Sequence, residues 1–193
     1  MRKATLLHGT DGSPEYCWFP WLVKILNENN LDVFVPLLPK NHTPNRFTYN
    51  DFLQKSGWDF SDNLLVGHSS GATTVLNLLQ SDWFPKVDTV VLVGTFLNEK
   101  LLHGVEWYEP GQFENLFPEN FDTEKIKSKA NKFIFIHGDD DLYCDIEDAK
   151  TLFNQLEGTF ITVPGGKHLS SNRTDLPEMI PALVEGEFVV FEV

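Results

Sequence analysis

The segment Asn63–Ala72, with the sequence NLLVGHSSGA, constrains the fold of this chain more than any other. Its first half is an apolar run typical of a buried strand, and the residues that follow it carry apolar side chains at helical spacing. Ser69 lies between Gly67 and Gly71, where a Cβ on either side would crowd a tight turn. Such a turn raises the serine Oγ above the sheet edge and points the next backbone N–H to the same place. The segment therefore predicts a strand, a nucleophile turn and a helix; the alternative is a tight turn without chemistry.

Short apolar runs alternate with amphipathic stretches along the rest of the chain. The predicted strands are Ala4–His8, Asp32–Val35, Asn63–Gly67, Thr89–Gly94, Lys132–His137 and Thr159–Val163. The predicted helices are Trp18–Asn29, Tyr49–Gly57, Ala72–Asp82, Thr123–Ala130, Ile146–Leu156 and Pro177–Val184. Because the strands lack polar alternation, both of their faces are buried, which is typical of a parallel sheet covered by helices. We predict an α/β fold in one domain over residues 1–193, with a doubly wound, mostly parallel sheet of about six strands in the order 2-1-3-4-5-6.

Composition excludes several functional classes. The formal net charge of −13 argues against a nucleic acid partner, which such a surface would repel. No apolar segment approaches the length that spans a bilayer, and the N-terminal run is too short for a signal peptide. Two cysteines, Cys17 and Cys144, make no disulfide framework and favour a cytoplasmic protein. Neither cysteine has the sequence context of a catalytic thiol.

The glycine-rich loop after the first strand has the sequence HGTDGSP and begins at His8. In the predicted strand order this loop faces the serine turn across the switch point of the sheet, where ligands bind. The backbone N–H groups of Ser70 and Thr10 are the predicted pair of oxyanion donors, with Gly9 as the alternative to Thr10. The loop could instead only turn the chain, or cradle a phosphate, although it lacks the lysine of a phosphate loop.

A serine nucleophile needs a base, and the base needs an acid that orients it. The six histidines are His8, His42, His68, His103, His137 and His168. Only His168 follows the last strand, and in this fold class the base comes after both the nucleophile and the acid. His68 precedes the nucleophile, and its side chain is expected to point away. The acid should follow the fifth strand, where Asp139, Asp140 and Asp141 all stand; the two that are not used should point to solvent.

The segment Thr95–Asp122 shows no clear periodicity but carries four aromatic residues, Trp107, Tyr108, Phe113 and Phe117. It is too apolar for a solvated linker. Two interpretations stay open: a loop packed on the core, or the roof of a substrate pocket. In the second case Trp107 and Phe113 are the candidate pocket residues.

These motifs resemble those of the α/β-hydrolases, and in particular the small serine hydrolases named after retinoblastoma-binding protein nine, with their bacterial relatives. The similarity extends from Leu6–Gly9 (LLHG) and Trp18–Leu22 (WFPWL) through the serine turn to Gly166–His168 (GKH). It implies a minimal hydrolase core without a large lid. It also implies that the acid stands three residues after the glycine that ends the fifth strand, which selects Asp141 with Asp140 as runner-up.

Two positions depart from the family pattern. Tyr143 and Cys144 replace a Val-Pro-like pair after the acid loop, and Lys167 stands where a small residue is common. The tail Gly186–Val193 lies outside the resemblance.

The resemblance implies a serine hydrolase that cleaves small acyl esters, with thioesters or amides as further candidates, through a seryl ester. Ser69 would be the nucleophile, His168 the base and Asp141 the acid, with no metal or organic cofactor. The expected partner is a small acyl substrate, with no membrane partner and no identified protein partner. Two alternatives remain: a protein-interaction module with a vestigial triad, and a flavodoxin-like phosphate or nucleotide binder.

Overall fold

The four inner strands bury alternate side chains on opposite faces of one sheet. The computed structural model describes residues 2–185, 187 and 188. On β3, for example, Leu64 and Val66 join the core cluster on one face, and Leu65 joins the cluster on the other. This double burial is why the strands are apolar without polar alternation.

The strands are β1 (Lys3–Leu7), β2 (Asp32–Phe34), β3 (Asn63–His68), β4 (Val87–Val93), β5 (Ala130–Gly138) and β6 (Thr159–Val163). The helices are α1 (Phe19–Glu28), α2 (Arg46–Gln54), α3 (Ser70–Leu79), α4 (Thr123–Ser128), α5 (Ile146–Leu156) and α6 (Ile180–Glu185), with a short 3-10 turn at Pro177–Met179. Several helix bounds differ from prediction by three residues, and one of them is the start of α2 at Arg46 rather than Tyr49. The side chain of Asn45 causes it, since Asn45 accepts hydrogen bonds from the N–H groups of Phe47 and Thr48 and so caps the helix earlier. No helix in the described residues is long and apolar enough to cross a membrane.

The six strands pair in parallel in the order β2-β1-β3-β4-β5-β6, which confirms the predicted fold. The order reverses between β1 and β3, where Leu7 pairs with Gly67. The loop that begins at His8 and the turn at Ser69 therefore lie side by side at the carboxyl edge of the sheet. Ligands of doubly wound sheets bind at this edge.

The segment between β4 and α4 packs as a small third core cluster over this edge. Phe96, Leu102, Phe113 and Leu116 are buried there, together with Cys144 from the acid loop. Two hydrogen bonds of 2.9 Å fasten the segment to helices: the Asn77 amide donates to the Leu116 carbonyl, and the Arg46 N–H donates to that of Asn115. One of the two interpretations of this loop is that it packs on the core of the domain. Its buried residues instead form a cluster of their own, separate from the two clusters on the faces of the sheet.

Of the tail Gly186–Val193, only residues 187 and 188 are among those that the structure describes. Phe188 is 2% exposed and packs into the main core. The guanidinium carbon of Arg2 lies 4.4 Å from the centroid of its ring.

Candidate active site

Ser69 occupies a strained turn between β3 and α3, with φ 57° and ψ −125°. A non-glycine residue persists in such a conformation only where its surroundings hold it there. Its N–H donates to the Val93 carbonyl at 2.9 Å, which ties the turn to β4. A Cβ at Gly71 would lie 2.1 Å from the Leu7 carbonyl oxygen, and one at Gly67 would lie 2.6 Å from Ala72 Cα. The two glycines let the turn pass this close to β1 and to the start of α3.

Ser69, His168 and Asp141 form one hydrogen-bonded chain. His168 Nε2 lies 2.9 Å from Ser69 Oγ, and His168 Nδ1 lies 2.8 Å from Asp141 Oδ2. Because an ionised carboxylate only accepts, Nδ1 carries the proton and donates it, which leaves Nε2 free to accept the serine proton. The Asp141 side chain is 1% exposed and that of His168 is 12% exposed. This arrangement can take a proton from the serine as it attacks a carbonyl carbon.

Asp141 is held as an anion in spite of its burial. Burial alone would raise the pKa of its carboxyl, but hydrogen bonds and charge outweigh it and lower the pKa below the usual value. His168 donates to Oδ2, while the N–H groups of Tyr143 and Cys144 donate to Oδ1 at 2.9 and 3.1 Å. All these donors favour the ionised form.

Asp139 and Asp140 contact the same loop as Asp141. Asp139 Oδ1 accepts from the Gly165 N–H at 2.8 Å, and Asp140 Oδ1 accepts from the Lys167 N–H at 2.6 Å. Both residues are exposed, as expected, but each carboxylate also accepts a backbone hydrogen bond from this loop, which the sequence did not predict. The three consecutive carboxylates bind the loop before and at His168, and Asp141 is the one that reaches the imidazole.

His68 is a site residue that the sequence analysis missed. Its Nε2–H donates to the His168 carbonyl at 2.9 Å, and the ring centroids of the two histidines are 5.0 Å apart. The expectation that its side chain points away from the site is therefore wrong. Burial lowers the pKa of His68 to about 3, so the ring is neutral at physiological pH. Trp18 supports the same loop, because its indole N–H donates to the Leu169 carbonyl at 2.9 Å.

The loop after β1 is fastened on the opposite side of the serine. His8 Nδ1–H donates to the Gly9 carbonyl at 2.8 Å, and His8 Nε2 accepts from the Leu38 N–H at 3.0 Å. The hydroxyls of Thr10 and Ser70 are hydrogen-bonded at 2.9 Å, so the two predicted oxyanion residues are neighbours. Within the described part of the chain, the backbone N–H groups of Thr10 and Ser70 have no acceptor. They are free to bind a ligand oxygen.

A cavity of about 250 Å³ opens above Ser69 and His168. Trp107 and Phe113, the two candidate pocket residues, both line it, but they differ in burial. Phe113 is 1% exposed and belongs to the third core cluster, whereas Trp107 is 40% exposed at the rim. The remaining lining residues are aromatic or apolar (Tyr16, Phe96, Leu102, Tyr143) or small and polar (Gly9, Thr10, Asp11, Gly12, His68, Ser170, Ser171).

One group among the described residues has the composition of a metal site. Ligand atoms of Asp141, Cys144 and His168 lie within 4.8 Å of one another. Asp141 and His168 are already hydrogen-bonded to each other. Burial raises the pKa of the Cys144 thiol well above its usual value, and the charge of Asp141 adds to the effect. Because metals bind the thiolate and not the thiol, this set fits a metal poorly.

With this geometry in view, comparison with known proteins identifies the class. The family model described as serine hydrolase matches residues 4–183. The chain belongs to this family, which confirms the resemblance seen in the sequence.

Individual relatives are distant in sequence. The YdeN protein of Bacillus subtilis strain 168, named as a hydrolase, is 25% identical over 181 residues that cover 91% of each chain. The crystal structure of the ydeN gene product superposes with a TM-score of 0.84 at 23% identity, over 97% of this chain and 99% of that one. Est1E from Butyrivibrio proteoclasticus, solved with ferulic acid bound, gives a TM-score of 0.69 at 16% identity, over 97% and 90%. The structural similarities establish a common fold.

Proposed function

We propose that this protein is an esterase that cleaves small acyl esters through a seryl-ester intermediate. The observation that carries the proposal is the continuous chain from Ser69 Oγ through both ring nitrogens of His168 to the buried Asp141 carboxylate. A serine hydroxyl is too weak an acid to attack unaided, and this chain supplies the base and orients it. The fold alone would not carry the proposal, because one fold hosts many chemistries.

In the first half-reaction Ser69 Oγ attacks the carbonyl carbon of the ester while His168 Nε2 takes the serine proton. The tetrahedral intermediate then collapses, the bond to the leaving oxygen breaks, and Nε2 returns the proton to that oxygen. In the second half-reaction water replaces the alcohol: Nε2 takes a proton from water, the hydroxyl attacks the acyl carbon, and Ser69 leaves with the proton. Asp141 keeps Nδ1 protonated and stabilises the charged imidazolium throughout.

The developing oxyanion would be stabilised by the Thr10 and Ser70 amides. These N–H groups lack internal acceptors among the described residues and flank the serine from the first loop and from the start of α3. Preformed donors of this kind contribute strongly, since losing one costs about 10²–10³ in rate. Gly9 borders the same space, where an added Cβ would lie 2.9 Å from Ser69 Cβ.

The cavity supports a restricted substrate class. Its volume of about 250 Å³ is below the range of about 300–1,000 Å³ typical of pockets for drug-sized ligands. Esters of short acids are therefore the proposed substrates, with thioesters and small amides as further candidates. The mechanism uses only the chain, the substrate and water. We place the activity in the cytoplasm, because Cys17 and Cys144 are unpaired thiols.

Reaction with a fluorophosphonate probe tests the nucleophile. We expect wild-type protein to be labelled and to hydrolyse p-nitrophenyl acetate, and Ser69→Ala to lose labelling and at least about 10⁴-fold of its turnover. Ser128→Ala, at an exposed serine on α4, is the matched control and should retain both. Persistent labelling of Ser69→Ala would exclude Ser69 as the nucleophile.

The same experiment separates the alternatives. An interaction module with a vestigial triad would show no labelling in wild-type protein despite the intact geometry. A phosphate or nucleotide binder would retain a phosphate-containing ligand through purification and ignore the probe. The phosphate or nucleotide binder also leaves the hydrogen-bonded serine, histidine and aspartate at the edge of the cavity without a role.

A further inference from the structure

The leaving alcohol of the ester must lie beside His168. The base returns its proton to the leaving oxygen, and proton transfer requires that oxygen within about 3 Å of Nε2. Since Nε2 is 2.9 Å from Ser69 Oγ, the alcohol extends from the serine over the imidazole. The acyl group, bonded to the same carbon, extends in another direction. The side chains around His168 therefore determine which alcohols fit.

Two aromatic rings form a corner at this end of the cavity. Tyr143 stands edge-on to the His168 imidazole, with centroids 5.1 Å apart and an interplanar angle of 86°. Trp107 stands edge-on to Tyr143 at 5.6 Å and 72°. Both line the cavity. The Tyr143 ring is thus steeply inclined to the imidazole, and the Trp107 ring is steeply inclined to that of Tyr143.

The burial of this corner differs from that of the cavity floor. Phe96, Leu102 and Phe113 are 3%, 0% and 1% exposed and belong to the third core cluster. They offer a closed apolar surface with room for a short acyl chain. Trp107 is 40% exposed and Tyr143 is half-buried, so the corner can accept a larger group that reaches out of the cavity.

The chemistry of the corner favours a flat aromatic group. Aromatic rings attract one another in edge-to-face and offset-stacked arrangements, beyond the effect of the area they bury. Trp107 packs edge-on against a neighbour, which leaves part of its half-exposed ring available to a ligand.

We propose that Trp107 and Tyr143 form a subsite for the leaving alcohol, and that the subsite favours aromatic alcohols over aliphatic ones of the same size. The inference rests on the proposed esterase function and deepens it. It separates the two candidate pocket residues: Trp107 contacts the alcohol, and Phe113 contacts the acyl chain.

The test compares benzyl alcohol with cyclohexylmethanol as acyl acceptors. Both are primary alcohols of similar size, and cyclohexylmethanol is the more hydrophobic, so area burial alone favours it. The acyl-enzyme is formed from p-nitrophenyl butyrate in each case, so the acyl group and the intermediate are identical. We expect wild-type protein to form benzyl butyrate about fivefold faster, the effect of one favourable ring contact.

Trp107→Leu should abolish that preference, and Trp107→Phe should retain most of it. Phe47→Leu removes a ring that is 62% exposed and lies outside the cavity, and should leave the preference unchanged. Ethyl phenylacetate and ethyl cyclohexylacetate, which place the ring on the acyl side, should keep their ratio of kcat/KM in Trp107→Leu to within about twofold.

The outcomes distinguish this inference from the function beneath it. Transfer through Ser69 with equal rates for the two alcohols, or a preference that survives in Trp107→Leu, overturns the subsite alone. A change confined to the acyl pair also overturns it and assigns Trp107 to the acyl side. Failure to form any acyl-enzyme overturns the proposed function, and the subsite with it.

Discussion

His68 Nε2 donates a hydrogen bond of 2.9 Å to the carbonyl oxygen of His168, a residue 100 positions later in the chain. The residue before the nucleophile thus holds the loop that carries the base. Asp139 and Asp140 bind the same loop from the end of β5, and the Trp18 indole binds it from the start of α1. His168 is therefore fixed from three elements before any substrate arrives. Such preorganisation matters because small displacements of a base cost large factors in rate.

The bond from His68 can be removed without changing the charge of the site. We expect His68→Gln, whose amide nitrogen can donate to the same carbonyl, to remain within about tenfold of wild type on p-nitrophenyl acetate, a barrier change of about 1.4 kcal/mol. His68→Leu cannot donate, and its kcat/KM should fall by about 10²-fold through misplacement of His168. Melting temperatures recorded for both variants separate this effect from unfolding. Equal activities of the two variants would show that the bond does not position the base.

Because three histidines are buried, we expect the free energy of unfolding to fall in mild acid. Burial lowers the pKa values of His8, His68 and His137 below 6.5 in the folded protein. Below pH 6.5 the unfolded chain binds protons that the folded protein does not, so the free energy of unfolding falls as the pH falls. The loss begins near pH 6.5, and for His68 it continues to about pH 3. Each histidine contributes up to about 1.4 kcal/mol per pH unit.

Urea unfolding between about pH 5 and 7 measures this slope. His68→Gln, which cannot titrate, should reduce the slope relative to wild type, and the reduction should disappear above about pH 7. A histidine on the surface provides the control: His42 pairs with Asp11, which raises its pKa, so His42→Gln should not reduce the slope. An unchanged slope in His68→Gln would contradict the assignment of a neutral buried ring.

The fold was predictable because the hydrophobic pattern of each segment agrees with the place of that segment in the sheet. Strands buried on both faces carry unbroken apolar runs, so β3 (Leu64–Val66) and β5 (Phe133–Ile136) are recognisable without any partner. Helix starts were less predictable. The start of α2 depends on the side chain of Asn45, which in the sequence alone resembles an ordinary loop residue. The segment between β4 and α4 has no period to detect, because its aromatic residues pack as an irregular cluster.

The site was predictable where chain order restricts it and unpredictable where geometry decides. The glycine-flanked turn singled out Ser69 and chain order singled out His168, and their roles stay predictions until activity is measured. Order could not choose among three consecutive aspartates. The role of His68 was also not predicted, because the serine motif allows any residue at that position. Its partner, the carbonyl of His168, is defined only once the loop after β6 folds over it.

Substitution of Phe113 should lower the free energy of unfolding much more than substitution of Trp107. Phe113 is fully buried in the third core cluster, so Phe113→Ala should lower the free energy of unfolding by about 3–5 kcal/mol. Trp107 is 40% exposed, and Trp107→Ala should cost much less, about 1 kcal/mol. Urea unfolding of the two variants measures the difference. A larger loss in Trp107→Ala would show that this ring is a core residue and not part of the cavity rim.

Substitutions of the three aspartates after β5 should lower the activity by different amounts, because only Asp141 contacts the imidazole. Asp141→Asn replaces the carboxylate that accepts from His168 Nδ1, and an amide at this position can favour the wrong tautomer of the imidazole. The corresponding change in a serine protease lowers kcat about 10⁴-fold, and we expect a loss of that order here. Asp139→Asn and Asp140→Asn keep an oxygen that can accept from Gly165 and Lys167, and each should stay within about tenfold, or about 1.4 kcal/mol in barrier.

Alanine at the same positions completes the comparison. Asp140→Ala removes the acceptor of the 2.6 Å bond from the Lys167 N–H, next to the base, and should lose more activity than Asp140→Asn. Measuring kcat/KM for the Asn and Ala variants on one activated ester decides between two roles. If Asp140→Asn collapses while Asp141→Asn stays active, Asp140 is the acid. If Asp140→Ala matches Asp140→Asn, the Asp140 carboxylate does not position the loop.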